Sequence, residues 1–358
     1  MNRVAQMSAE ERADVFAEAA NRKGLPEAVI EKDFWVCWML KQLFSIEALS
    51  GRLLFKGGTS LSKIFHAIRR FSEDIDLAVD YAALGFRGDR DPYAPGLSRS
   101  KQVKLLGEMI TECQQYIRGE FAEHVTVRCR ELLGSGGGWT LKVDEQDPNV
   151  VRFLYPSGTR QFVSYMAPQV VLELGTHAEF VPRDRFVIRA FAAEEFPKLM
   201  SEPDVEVAAI LAKRTFWEKV TILHAEYHRP AERPLPGRYS RHYYDVAMLT
   251  RGVVKDEALA DLDLLERVVR HKQTFYPSAW CRYDLARPGT LRLAPSADRV
   301  TALRQDYREM AVMLFDEPPR FEEIVNSVAE FEREVNSLRF SEMPDARKPT
   351  GKQQHAAS

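Results

Sequence analysis

Cysteine is scarce in this chain, with four among 358 residues. Cys37, Cys113, Cys129 and Cys281 are too widely separated for a disulfide framework and show no paired metal-ligand spacing, which argues against both a stapled scaffold and a zinc site. A reducing compartment fits that usage. Long apolar runs are also missing. None approaches the roughly 20 residues that span a bilayer, and the opening Met1-Asn2-Arg3-Val4-Ala5-Gln6 lacks a signal peptide's apolar region. The expectation is a soluble, cytoplasmic protein with no membrane contact. Net charge is nearly absent: 50 Lys and Arg stand against 52 Asp and Glu, for a formal −2 and a pI of about 6.5. No overall basic field advertises a nucleic-acid partner, although a local basic groove is compatible with that balance. No internal repeat or heptad run is present.

What the chain does have is apolar material, 45% of its residues, at a length beyond one typical domain, so two lobes are expected. The most informative stretch is Lys56-Gly57-Gly58-Thr59-Ser60-Leu61-Ser62-Lys63, followed by Arg70-Phe71-Ser72-Glu73-Asp74-Ile75-Asp76-Leu77-Ala78-Val79. Leu53-Leu54-Phe55 reads as a short strand, the glycine pair as a tight turn, and 59–65 as the first turns of a helix. Backbone amides in such a turn face an anion, which makes Lys56, Gly57, Gly58, Thr59, Ser60 and Lys63 candidates for nucleotide binding. Asp74-Ile75-Asp76-Leu77 alternates, and alternation means strand, so Asp74 and Asp76 project from one face. Two carboxylates so placed suit Mg²⁺ or Mn²⁺. Magnesium takes a few carboxylate oxygens plus substrate phosphate oxygens, and two such ions hold the attacking and leaving oxygens of an in-line displacement. Transfer of a nucleotidyl group from an NTP needs acids at this spacing.

A glycine pair followed by an Asp-x-Asp strand resembles the signature of the DNA polymerase beta nucleotidyltransferase superfamily. The two quoted phrases are similar, nearly word for word, to the first motif of the AbiEii/AbiGii toxin family. Arg214-Thr215-Phe216-Trp217-Glu218-Lys219 and Arg241-His242-Tyr243-Tyr244-Asp245 look like its later motifs, so the resemblance covers roughly residues 50–250. It implies that Asp74 and Asp76 bind metal, that Lys219 on a helix contacts nucleotide phosphates, and that Asp245, beginning another helix, completes the catalytic set. An ammonium has the right physics, being a compact point charge able to neutralise a triphosphate as charge moves to the leaving group. The resemblance further implies the toxin half of a type IV-like toxin–antitoxin or abortive-infection pair. Such a toxin adds nucleotides to an RNA acceptor, such as the 3′ end of a tRNA, and has a cognate antitoxin as partner. The chain departs from the family in three places. Fifteen residues separate Gly58 from Asp74, which implies an extended helix after the turn, and Gly58 replaces the serine of some relatives. Tyr244 precedes Asp245 where arginine is common.

Ser8 with Glu11 is a capping pattern opening a helix over 8–20. Pro26 starts a second, apolar helix whose Glu31-Lys32-Asp33 reads as a helix-entry charge pattern. Residues 85–98, rich in Gly, Pro, Arg and Asp, read as an exposed loop beside the carboxylates. A helix over 100–118 follows, then strands near 125–130, 139–143, 151–155 and 168–174. Gly134-Ser135-Gly136-Gly137-Gly138 lacks the lysine of a phosphate loop and reads as a flexible connection. Glu173, inside the apolar Val170-Val171-Leu172-Glu173-Leu174, demands a partner: either metal, as a third carboxylate, or a salt bridge to a core arginine.

From residue 202 onward the pattern reads as helical, and Lys219 lies on that helix; periodicity does not settle which face it takes. The segment 224–245 reads as a basic linker. Its Arg229, Arg233, Arg238 and Arg241 suit nucleotide or RNA phosphates, and Tyr239, Tyr243 and Tyr244 suit base stacking; an ordinary surface loop is the alternative. His224 and His228 have metal-ligand spacing without a third ligand. Further helices are expected over 257–272, 296–315 and 321–338. The resulting expectation is a polymerase-beta-type α/β (α+β) lobe over 1–195 with a mixed sheet, a helical lobe over 196–340 and a mobile tail over 341–358. Two alternatives to RNA nucleotidyl transfer are nucleotidylation of a protein hydroxyl and a catalytically idle nucleotide- or partner-binding module.

Overall fold

Seven strands make one mixed sheet: β1 (Leu53–Lys56), β2 (Asp74–Val79), β3 (Thr140–Val143), β4 (Val150–Leu154), β5 (Gln169–Gly175), β6 (Arg183–Arg189) and β7 (Asp204–Ile210). A computed structural model describes residues 1–159, 167–176, 181–276, 278–315 and 317–338. The tail expected over 341–358 lies outside the described residues. The strand order is β3-β4-β5-β2-β1-β7-β6. β2 runs antiparallel to β1 and parallel to β5, and β1 runs parallel to β7, which puts the two motif strands at the centre. The fold class is the expected mixed α/β.

The helix Glu27–Ser45 is buried along almost its whole length and covers this sheet. Its Trp35 stacks on Tyr155 and its Trp38 on Phe153, at ring separations of 5.5 and 5.8 Å. This first core draws apolar side chains from Met1 to Ala209. A second core is built mainly from the helices Ala212–Tyr227, Ser240–Leu249, Val253–Leu259, Leu262–Phe275, Val300–Met310 and Phe321–Ser337. The sheet continues past residue 195, because β7 pairs with both β1 and β6. Among the described residues no helix is long and apolar enough to cross a membrane.

Several elements differ from the sequence reading. Residues 125–130 form part of the helix Ala122–Leu133, and the buried Val125 and Cys129 stand four apart, as one helix face requires. The helical reading from 202 gives way to β7. There, buried Val205 and Val207 alternate with exposed Asp204 and Glu206, which is a strand period. β6 went unread. The helix expected over 257–272 is two helices, separated where Asp261 caps the second by accepting from the Leu264 amide.

The extended helix expected after the glycine turn does not form either. The helix Gly57–Lys63 is seven residues long, and His66 beyond it takes a left-handed φ of 49°. The following chain crosses to the second core, where Leu61, Ile68 and Phe71 pack. There the Phe71 amide donates to the Met313 carbonyl (2.7 Å) and the Phe315 amide to the Arg69 carbonyl (3.0 Å). The long spacing between the glycine pair and Asp74 is therefore a strap between the two cores.

Candidate active site

Register brings the charged strand residues together. β1 sets Lys56 opposite Asp76, and β2 sets Asp76 opposite Glu173, so three charges form a row across one sheet face, with Asp74 two residues along from Asp76. Leu172 and Leu174 occupy the other, buried face of β5, while Glu173 is exposed. Glu173 therefore needs no core arginine, and it forms no salt bridge with any described residue. Desolvation pushes its carboxyl up to about 7, with help from the like charges of Asp76 and Asp74 and against the pull of Lys56 and Arg241. Asp74 is raised as well, by desolvation first and then by Glu73 and Asp76.

The glycine pair is dictated by what lies against it. Gly57 has a φ of +78°, and a Cβ there would sit 1.9 Å from an Asp76 carboxylate oxygen. At Gly58 a Cβ would lie 2.8 Å from both an Arg70 guanidinium nitrogen and the Ser72 hydroxyl oxygen. The turn thus touches Asp76 on one side and Arg70 on the other. Thr59 and Ser60 are buried, their hydroxyls donating to the carbonyls of Asp74 (2.5 Å) and Gly57 (2.9 Å). Thr59 thus ties the turn to β2 and Ser60 braces the turn on itself, which leaves backbone to face a ligand.

Arg70, on the strap, enters a buried ionic group with the two late-motif residues. Its Nε and Nη2 donate to the two Asp245 carboxylate oxygens at 2.7 and 2.9 Å, and Lys219 Nζ reaches Asp245 Oδ2 at 2.7 Å. Burial alone would raise the Asp245 carboxyl, but the two cations hold it well below the usual carboxylate range. Lys219 is lowered by burial, and further by Arg70 and Arg241, against the pull of Asp245. The helix carrying Asp245 begins at Ser240, and Asp306 accepts from the amides of Arg238 (2.6 Å) and Ser240 (2.7 Å) at that end. Arg238 also reaches Glu73 at 3.2 Å, and Glu73 pairs with the buried Lys32.

On the Glu173 side, Lys56, Asp76, Glu173, Asp147, Asn149 and Tyr276 line a cavity of about 240 Å³. Tyr276 follows the helix Leu262–Phe275, and Lys272 of that helix holds its ammonium 4.9 Å from the Tyr276 ring centre. Behind them Glu218 pairs with Arg214 at 3.1 Å.

Of the expected site residues, Lys56, Gly57, Gly58, Asp74, Asp76 and Glu173 share this sheet end, and Lys219 and Asp245 stand together beside Arg70. Lys63 does not join them. Its ammonium pairs with Asp33 at 2.7 Å and lies 4.0 Å over the Phe191 ring, inside the fold. Glu31, Lys32 and Asp33 are all buried and all partnered, as a structural reading requires. Tyr243 and Tyr244 are core residues with no face to offer a base. His224 is likewise internal, donating from one ring nitrogen to the Arg282 carbonyl and accepting at the other from the Arg292 amide; burial pushes it down to about 4.

Sequence reasoning gave no role to Arg70, although it stands inside the quoted motif, nor to Lys272 and Tyr276, which carry no local signal. Among the described residues no three His, Cys, Asp or Glu side chains gather into a preformed metal cage. Magnesium requires none, since it keeps waters and substrate phosphates in its shell and takes only one or two carboxylates from protein. The hard oxygens of Asp74 and Asp76, with charges that repel without a cation, fit such an ion in type.

A family model described as nucleotidyl transferase AbiEii toxin of type IV toxin–antitoxin systems matches residues 38–327. The chain belongs to the AbiEii family. It is accordingly a nucleotidyltransferase toxin of a type IV toxin–antitoxin system, in a family that generally uses an NTP and a divalent metal and is countered by a cognate antitoxin. Among solved structures it is similar to the nucleotidyltransferase toxin MenT4 of Mycobacterium tuberculosis H37Rv, with 16% identity over 89% of this chain and 96% of that one, at a TM-score of 0.40. No curated protein matches. The match spans all seven strands and the helices that bear Lys219 and Asp245 of this AbiEii chain.

Proposed function

We propose that the chain transfers NMP from an NTP to the terminal hydroxyl of an RNA acceptor, with the 3′ end of tRNA as the intended target. The observation that carries the reading is the glycine turn wedged between Asp76 and Arg70, with Arg70 tied through Asp245 to Lys219. Carboxylates for a cation and a cation group for phosphates thus meet at one backbone turn. The backbone of Gly57, Gly58, Thr59 and Ser60 cradles the triphosphate, and Lys219 with Arg70 neutralises the β and γ phosphates. Asp74 and Asp76, with Glu173 as a further oxygen, hold the divalent ion, Mg²⁺ or Mn²⁺, which when bound neutralises charge on the phosphoryl oxygens. Glu173 takes the acceptor's proton as its oxygen bonds to the alpha phosphorus, and the bond to the bridging oxygen breaks with its electron pair leaving on pyrophosphate. Asp245 acts by fixing Arg70 and Lys219. We assign Lys63 to the fold.

The test is incubation with each of four alpha-labelled NTPs, Mg²⁺ and total tRNA, beside the Asp74→Ala/Asp76→Ala variant. Label on RNA that requires both aspartates is the expected result, and the labelled base names the NTP. Label on protein with none on RNA would replace the RNA acceptor by a protein hydroxyl. Equal label with the double variant would sink the site.

A further inference from the structure

The carboxylates have two basic flanks, and in-line chemistry gives them different work. Gly58 abuts Arg70, so the glycine turn, Arg70 and Lys219 belong to one flank. Across Asp76, the row to Glu173 opens on the cavity lined by Lys56, Asn149 and Tyr276, with Lys272 beside the Tyr276 ring. Neither the Lys56 nor the Lys272 ammonium forms a hydrogen bond or a direct salt bridge with any described residue, although Asp76, Glu218 and Glu173 attract Lys56 and Glu218 attracts Lys272 from farther off. Two ammonium groups held beside a carboxylate row without a hydrogen bond or direct ion pair make an anion subsite in waiting, since a phosphate can bond to both without breaking either. Attacking and leaving oxygens lie on opposite sides of the alpha phosphorus. If pyrophosphate leaves over Arg70 and Lys219, the acceptor must enter from the Glu173 flank.

We propose that this flank is the acceptor subsite for a single-stranded RNA end, with Lys56 and Lys272 on its terminal phosphodiester and Tyr276 against a base. The inference rests on the nucleotidyl-transfer reading for its direction, but its parts are testable without turnover. Tyr276 is 46% exposed, which leaves ring area for stacking of the kind that single-strand binders use. A lysine pair contacts phosphate irrespective of sequence, so the subsite reads backbone and leaves base choice elsewhere. A protein hydroxyl brings no phosphate for these two ammonium groups to bond.

The experiment is fluorescence anisotropy of a labelled single-stranded RNA oligonucleotide with the full chain, repeated for Lys272→Ala, Lys272→Arg and Tyr276→Ala, with a fluorescent NTP analogue titrated separately. Lys272→Ala and Tyr276→Ala should each weaken the RNA about tenfold, Lys272→Arg should largely restore it, and NTP affinity should stay within about twofold. Thermal melts within a few degrees of the parent keep the comparison clean. Unchanged RNA affinity in both variants overturns the subsite, and so does a loss of NTP affinity matching the loss for RNA, which would move Lys272 to the nucleotide. Failure of the transfer reading shows elsewhere, as absence of label on RNA with the parent protein.

Discussion

At the scale of single residues, the buried group of Arg70, Lys219 and Asp245 separates a structural role from a chemical one. Asp245 is fully buried and carries both cations, so Asp245→Ala leaves two buried positive charges without a counter-charge. That change should cost about 3–5 kcal/mol in chemical denaturation, besides abolishing transfer. Lys219→Met leaves the two bonds between Arg70 and Asp245 intact. It should cost far less stability while still losing most of the transfer rate; equal stability losses would show that Lys219 serves only the fold. Glu173 gives a second prediction, in pH. Its carboxyl titrates at about 7 in the folded chain against an ordinary value of 4.5. Between those values the folded state keeps a proton that the unfolded state has released, so stability falls as pH rises through the window. Denaturation profiles between about pH 5 and pH 8 should flatten in Glu173→Gln, and an unchanged slope would show that Glu173 is not the group responsible. Asp74 and Asp76 were legible because a two-residue period fixes their common face. The partnership of Arg70 was not, since a strap residue's destination depends on a core whose helices lie far along the chain, Asp245 among them.

At the scale of elements, the outcome of local reading followed how many sides of each segment are buried. The capped helix Ala9–Lys23 was plain because the Ser8 and Glu11 capping box is written in four consecutive residues. β7 was misread because its buried valines are followed by a longer helical run with no breaker, and helix Ala122–Leu133 because Val125-Thr126-Val127 imitates a strand. In both, packing overrode propensity. The helix bearing Asp245 illustrates a dependence that no local pattern records. It has no side-chain cap of its own, and Asp306 from a distant helix accepts the amides of Arg238 and Ser240. Asp306→Ala should therefore cost about 0.5–2 kcal/mol, the range for losing an N-cap. It should also reduce transfer, because Arg241 and Asp245 ride on that helix. Asp306→Asn keeps an oxygen acceptor and should recover much of both. Denaturation midpoints with transfer rates check this, and an alanine variant as stable as the parent would remove Asp306 from the support of the site.

At the scale of the whole molecule, the site exists only where two separately cored halves meet. The carboxylates stand on the sheet, Lys219 and Asp245 stand on the helices, and the strap 64–73 carries Arg70 between them. An apo site of this kind stores opposition: Asp74 is pushed up by burial and then by Glu73 and Asp76, and Lys219 is pushed down by burial and, against the pull of Asp245, by Arg70 and Arg241. On the proposed assignment, an NTP with Mg²⁺ would supply what each side lacks, phosphate to the cations and a cation to the carboxylates. Linkage then requires the ligand to stabilise the fold, by about 2.7 kcal/mol at a hundredfold excess over Kd. That is about 3–4 °C for a chain of this size. Asp76→Ala should separate the two effects. Relief of like-charge repulsion should leave its apo melting temperature equal to the parent's or higher, while the loss of a ligand oxygen removes most of the shift with NTP and Mg²⁺. Differential scanning fluorimetry with NTP alone, Mg²⁺ alone and both decides the matter. A full shift in Asp76→Ala would mean that the nucleotide binds away from the strand carboxylates. A strongly destabilised apo variant would mean that Asp76 is held for the glycine turn it packs against, and that its carboxylate serves the fold before it serves the chemistry.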